Sequence, residues 1–293
     1  MKPTLKTLAF VSAVAMIGLL VTATTYAALD PADIVAIWLF DEGEGKKTVD
    51  SSDNPKGMDG TLEGGANDSD NLRPQWVDGK FGKALKCEGA GSVINIPNFN
   101  KDERLGPDEE DEAAGNLPDE TTITITAWVQ RLDKLGSAAQ KDLFSYEPGG
   151  PWDNRILVHF PWDDGAGEFI MWQYGKPFQG TNWEFPGNGG EMNHYAFTGN
   201  GEETVIYQNG EFVHLGAGAK PFVRTVEHGP WHIGGRFGSS AQVIVDDVGV
   251  FSRVLSDDEI ASIQQKGLAI AALGVEPAEK LSTTWGEIKS SPK

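Results

Sequence analysis

Short stretches in which apolar and polar residues alternate, separated by glycine-rich turns, run through most of this 293-residue chain. That pattern limits what the chain can become. Alternation with period two presents one apolar face from an extended strand, whereas a helix needs apolar residues three and four apart. SVINI (92–96) and TTITITAWV (121–129) alternate in this way, and IVAIWLF (34–40) is apolar enough for a strand buried on both faces. RILVHF (155–160), EFIMWQ (168–173), HYAFT (194–198), WHIG (231–234) and QVIVDDVGVF (242–251) continue the series. TVIYQ (204–208), Asn209-Gly210 and 211–215 read as a hairpin, because Asn-Gly supplies the two positive-φ positions of a type I′ turn.

One segment carries a helix signal. Ser256 and Glu259 form a capping box, and Ile260, Ile263 and Leu268 follow at roughly helical spacing. A doubly wound α/β fold needs a helix between successive strands, and those are missing. The expected fold class is therefore all-β: a two-sheet antiparallel β-sandwich with one short C-terminal helix. The 36 glycines and 16 prolines suit its many turns. The domain is expected to span 30–272, with 101–120 (KDERLGPDEEDEAAGNLPDE) as a long acidic surface loop and 273–293 as a polar tail. Cys87 is the one cysteine, so no disulfide forms within the chain, and its strand-like surroundings predict a small buried hydrophobe.

The N-terminus predicts export. Lys2 and Lys6 precede an apolar run from Leu8 to Val21, and small residues follow at Ala27 and Ala28. This is the order of a secretory signal peptide, residues 1–27, cleaved near Ala27. The run has 14 residues, short of the roughly 20 that span a bilayer, so no stable membrane span is expected after cleavage. The expected destination is the cell envelope or the outside of the cell. Removing the leader leaves 22 basic against 43 acidic residues, a net charge of −21. Such a surface repels phosphate backbones, which excludes nucleic acid as a partner, and attracts cations.

Three stretches together resemble the laminin-G-like jelly-roll domains of bacterial exported proteins. They are WLFDEGEGKKTVDSSDNPKGMDGTLEGG (38–65), GKFGKALKCEGAGSVINIP (79–97) and VDDVGVFSRVLSDDEIASI (245–263). The resemblance spans about Ile34 to Leu268 and implies a concanavalin A-like jelly roll. It implies no chemistry, since that architecture serves lectins, adhesion domains and glycosidases alike. The loop departs from the family's pattern in reading DSSDN, and the acidic insertion is longer than usual.

Calcium takes six to eight hard oxygens from carboxylates, amides and carbonyls. The loop 50–60 (DSSDNPKGMDG) is rich in such groups, and Asp50 and Asn54 are its candidate ligands. The resemblance adds that many members hold a calcium between this loop and the final strand, where Asp246 is the matching residue. If Ile244, Asp246, Val248 and Val250 share one face, Asp246 points inward and needs a partner; Asp41 in the FDEG turn could complete the shell. A structural Ca²⁺ is therefore expected. The competing reading has Asp50 and Asn54 capping turns and Asp246 held by backbone amides.

Glycosidases of this architecture carry two carboxylates across a cleft. No such pair stands out on a strand: the acids at 108–112 lie in the loop, and Asp246 and Asp247 are adjacent. The domain is thus read as non-catalytic, with a glycoside hydrolase as the outlying alternative. Aromatic residues crowd 152–185, and two segments combine them with sugar-pairing groups: Trp162 with Asp163, and Asn182 with Trp183. These are the candidate ligand residues, and the expected partner is an extracellular glycan. A cell-surface protein, bound by an adhesion or envelope scaffold domain, is the alternative.

Overall fold

The computed structural model describes residues 29–65, 67–89, 91–116, 121–132, 141–146, 155–160, 166–172, 181–184, 190–200, 203–217, 230–235 and 241–274. The leader and the tail from 275 onward lie outside the described residues. Sixteen strands among the described residues form two antiparallel eight-stranded sheets. The first runs β14 (Glu211–Ala217), β13 (Glu203–Gln208), β12 (Asn193–Gly199), β7 (Ile123–Arg131), β16 (Gln242–Phe251), β5 (Lys83–Glu88) and β4 (Gln75–Asp78). β1 (Ile34–Trp38) pairs with the far end of β16. The second runs β11 (Thr181–Glu184), β10 (Ala166–Trp172), β9 (Arg155–Phe160), β8 (Lys141–Tyr146), β15 (Trp231–Ile233), β6 (Ser92–Ile96), β3 (Gly60–Gly64) and β2 (Lys47–Thr48).

Alternation builds the core between the sheets. Ile123, Ile125, Ala127 and Val129 of β7 and Tyr195 and Phe197 of β12 pack with Leu62, Ile94, Ile96, Phe144, Val158 and Ile233 of the second sheet. Each of the Ile, Leu, Val and Phe side chains contributes about 1.5–3 kcal/mol by leaving water. Trp231 is the centrepiece, stacked on Phe99 at 4.3 Å and Phe144 at 5.2 Å, with Trp38 at 5.9 Å. Trp38 settles its indole N–H on the Met58 carbonyl at 2.7 Å.

A second apolar cluster covers the outer face of the first sheet. Helix α2 (Asp257–Lys266) starts at Ser256 with the expected capping box, and α3 (Leu268–Ala271) follows. Ile260, Ile263 and Leu268 pack on Ile37, Ala196 and Phe251. Arg253 clamps the helix to the residue just before β1 through Asp33 (2.5 Å) and Glu259 (2.6 Å). The predicted hairpin forms, with Asn209 at φ 53° and Gly210 at φ 83°.

Two expectations change. The acidic segment is more than a surface loop. A 3₁₀ turn (Phe99–Lys101) leads into it, a second (Glu103–Leu105) and a short helix α1 (Glu109–Ala114) lie within it, and its Asp102 and Leu105 are buried. Isolated apolar anchors leave no period for sequence reading to detect. The second change is in β16. Val243 and Val245 face the core, and so do Val248 and Val250, so the parity reverses between them. A bulge lies between Asp246 and Gly249, with Asp247 at φ 46°. A bulge adds a residue to one strand and shifts every later side chain to the other face. Asp246 therefore points out of the sandwich core, toward the β4–β5 turn, and not inward with Val248 and Val250.

Candidate functional site

The four candidate metal residues fall into two separate groups. Asp50 and Asn54 sit on the loop beside β1. Asp50 accepts the Ile37 and Ser52 amides on one oxygen, both at 3.0 Å, and its own amide donates to Asp59. Its other oxygen is buried without a hydrogen-bond partner, and burial raises its pKa. Asn54 accepts the Lys56 amide, closing a turn on its own backbone, and turns its NH₂ toward the Val35 carbonyl (2.6 Å) and the Asp102 carboxylate (2.7 Å).

Asp246 and Asp41 lie against the β4–β5 turn. One Asp246 oxygen accepts the Lys80 amide at 2.7 Å and the Phe81 amide at 3.0 Å. The carboxyl is fully buried, its second oxygen has no partner, and desolvation lifts its pKa to about 7, with the Asp41 charge adding to the rise. Gly79 must be glycine here, because a Cβ would stand 2.5 Å from that carboxylate. Asp41 accepts the Lys83 amide at 3.0 Å. Along the same outer face, Asp246, Trp128 and His194 are direct cross-strand neighbours. Trp128 is flanked by Phe81 and lies under the Lys80 ammonium at 4.6 Å.

This donor set does not fit a calcium shell. Asn54 presents donors where a cation needs an oxygen, and each orphaned carboxylate oxygen belongs to a different group. Among the described residues no three His, Cys, Asp or Glu side chains gather as a cation site. Asp50 and Asn54 cap backbone turns and Asp246 is held by two amides, as in the turn-capping alternative, while the second oxygens of Asp50 and Asp246 are left without hydrogen-bond partners.

Of the candidate ligand residues, Trp162 and Asp163 lie outside the described residues. Asn182 and Trp183 fall on edge strand β11, whose backbone is described. Register puts Asn182 opposite Glu168, and Glu168 opposite His159, which is opposite Asp142. The neighbouring row on the second sheet is Thr61, Asn95, His232 and Ser145. Leu62, Ile94, Ile96, Trp231 and Ile233 face the core, so Thr61, Asn95 and His232 face out by alternation. The Asn95 amide donates to Glu63 at 2.6 Å and leaves its buried oxygen without a partner. Burial lowers the His232 pKa to about 4, so its imidazole is neutral and offers a donor and an acceptor. Sequence reading missed this row because its members come from strands far apart in the chain.

Exposed apolar residues gather at the edge of the first sheet. Phe212, Val213 and Leu215 of β14 are 59%, 43% and 51% exposed, and β14 packs near β11.

Two antiparallel sheets packed as a sandwich, with a short helix near the end of the domain, are the architecture of a concanavalin-like jelly roll. The chain belongs to the concanavalin A-like lectin/glucanases superfamily through its Laminin_G_3 family, which matches residues 109–261, just over half of the chain. No curated protein matches it by sequence. Among solved structures it is similar to the receptor binding domain of botulinum neurotoxin C/D mosaic serotype, at 12% identity and a TM-score of 0.55, over 80% of this chain and 52% of that one. It is also similar to domain 4 of AbnA, a GH43 extracellular arabinanase from Geobacillus stearothermophilus in complex with arabinotriose. That match has 16% identity and a TM-score of 0.51, over 80% of this chain and 98% of that one. A third likeness is to Trypanosoma rangeli sialidase, at 19% identity and a TM-score of 0.50, over 81% of this chain. The chain spans about a third of the sialidase's length, 34%. Identities this low show the fold alone.

Proposed function

We propose that the domain is an exported, non-catalytic glycan-binding module whose ligand lies on the outer face of the second sheet. The observation that carries this reading is the row Thr61–Asn95–His232, which aligns hydroxyl, amide and neutral imidazole across three strands, each at least partly open to solvent. Such neutral donor–acceptor groups match the hydroxyls of a sugar without the cost of desolvating a charge. The opposite outer face is occupied by α2 and α3. The leader at 1–27 supports export, and the arabinotriose-bound AbnA domain shows that a sandwich of this kind holds a glycan in that protein.

The non-catalytic reading has its own support. Asp142 and Glu168 lie two strands apart in one row, a separation of about 9.5 Å between strands. Asp142 is fully buried, however, and a hydrolytic carboxyl must touch its substrate. A protein partner is favoured by one observation, the exposed apolar edge at Phe212, Val213 and Leu215.

A glycan array followed by titration calorimetry tests the proposal. Asn95→Ala and His232→Ala should each weaken glycan binding by about tenfold or more, the loss of one to two hydrogen bonds in a desolvated site. No glycan retained by the wild-type chain, with a protein captured through Phe212, would replace the glycan reading with the adhesion one.

A further inference from the structure

Beside loop 50–60, Asp102 and the carbonyls at the start of β1 gather around one side chain. Arg104, from the turn Glu103–Leu105, donates Nε to Asp102 Oδ1 at 2.9 Å and Nη2 to Asp102 Oδ2 at 2.6 Å. Its Nη1 donates to the Ile34 carbonyl at 2.6 Å and the Ala32 carbonyl at 3.3 Å, and Nη2 reaches the Val35 carbonyl at 3.5 Å. Asp102, 2% exposed, also accepts the Asn54 amide group at 2.7 Å and the Arg104 backbone amide at 3.0 Å. The Asp50 charge adds to the field on the guanidinium, whose proton is held more tightly for it.

Three main-chain carbonyls, one buried carboxylate and the field of a second are what a hard cation collects. A guanidinium meets the same need differently. Its fixed fork takes a carboxylate with two bonds and still has N–H groups for carbonyls, and its charge never titrates away. The orientation of Asn54 follows, since beside an oxygen-rich centre already holding a guanidinium its NH₂ finds acceptors. The segment carrying Arg104 is stapled to the same loop by Lys56–Glu103 at 2.9 Å and by Asn98 on the Lys56 and Gly57 carbonyls.

We propose that Arg104 is the built-in cation where this loop meets the start of β1, so that the domain folds, and presents its binding face, without a divalent ion. The acidic insertion thereby delivers a fixed positive charge to the carbonyls at the start of β1. The proposal does not depend on which ligand the domain binds.

Thermal melts of the full chain, Arg104→Gln and Arg104→Lys, each in excess calcium and in excess chelator, test it. The wild-type midpoint should move by less than about 1 °C between calcium and chelator, since no ion binds the folded state. The Gln variant should melt about 4–8 °C lower in both buffers, and Lys, which keeps the charge but loses the fork, should fall between. A wild-type midpoint that drops in chelator and recovers with calcium would overturn the proposal, as would a Gln variant that melts with the wild type. If the Gln variant does not fold, the Lys variant and the wild-type chelator melt still decide.

Discussion

At pH 8, Asp246→Asn should melt higher than the wild-type chain, and the gap should narrow as pH falls and close at about pH 4, where the unfolded carboxyl also takes up its proton. Asp246 is fully buried, accepts two turn amides on one oxygen and has no partner for the other. Burial places its folded pKa at about 7, against about 3.8 for the free carboxyl. The sign follows from proton counting. Between about pH 4 and pH 7 the folded state holds a proton that the unfolded chain has released. Stability therefore falls as pH rises through that window, and the full penalty is present above it. Three pKa units correspond to about 4 kcal/mol, and relaxation around a buried charge brings the expected cost to about 2–4 kcal/mol. At 2–4 °C per kcal/mol for a domain of this size, the Asn variant should gain roughly 4–16 °C at pH 8. Asn keeps an oxygen for the Lys80 and Phe81 amides and carries no charge. His194 and His232 complicate a single melting curve, because burial lowers their pKa values to about 3 and about 4 and so costs stability below about pH 6.5. Both are present in both proteins, so the difference between the two melts isolates Asp246. Scanning calorimetry from about pH 4 to pH 8 measures it. An Asn variant several degrees less stable at pH 8 would refute the reasoning, since it would mean that the carboxylate is held charged by a cation.

Three further outcomes are expected. Trp231→Ala removes the residue stacked between Phe99 and Phe144 and should cost about 3–5 kcal/mol in denaturant unfolding. Ser256→Ala breaks the α2 capping box and should cost about 1 kcal/mol by the same assay. Arg253 holds the Glu259 pKa down to about 2, so that pair stabilises the fold above about pH 4.5 and the gain is lost as pH falls toward 2. Glu259→Gln should flatten the acid limb of the stability curve, and an unchanged limb would mean that the Arg253 pair contributes nothing there.

The sandwich was legible because period-two alternation records which face of each strand is buried. SVINI, RILVHF and QVIVDDVGVF became strands with the bounds read from sequence, and SDDE capped its helix. Polar or short strands escaped: β2 is two residues long, and β11 (TNWE) lacks an apolar run. The bulge at Asp246 was invisible, since nothing in QVIVDDVGVF marks where parity reverses; the positive φ falls on Asp247, a residue type that tolerates it. The polar row depends on register between strands more than a hundred residues apart, such as β6 and β15, and period alone cannot supply register. Arg104 escaped for a related reason. Its charge was counted within an acidic run, while its partners are the carbonyls of β1, seventy residues earlier.

Glycan titration of the chelator-treated chain beside its Asn95→Ala variant tests the central claim most directly. Wild-type binding should survive removal of divalent ions. In the variant, binding should be lost while the melting midpoint stays within about 2 °C, as for a half-buried side chain outside the core. Release of reducing ends from the bound polysaccharide, or binding that disappears with the metal and returns with calcium, would contradict it.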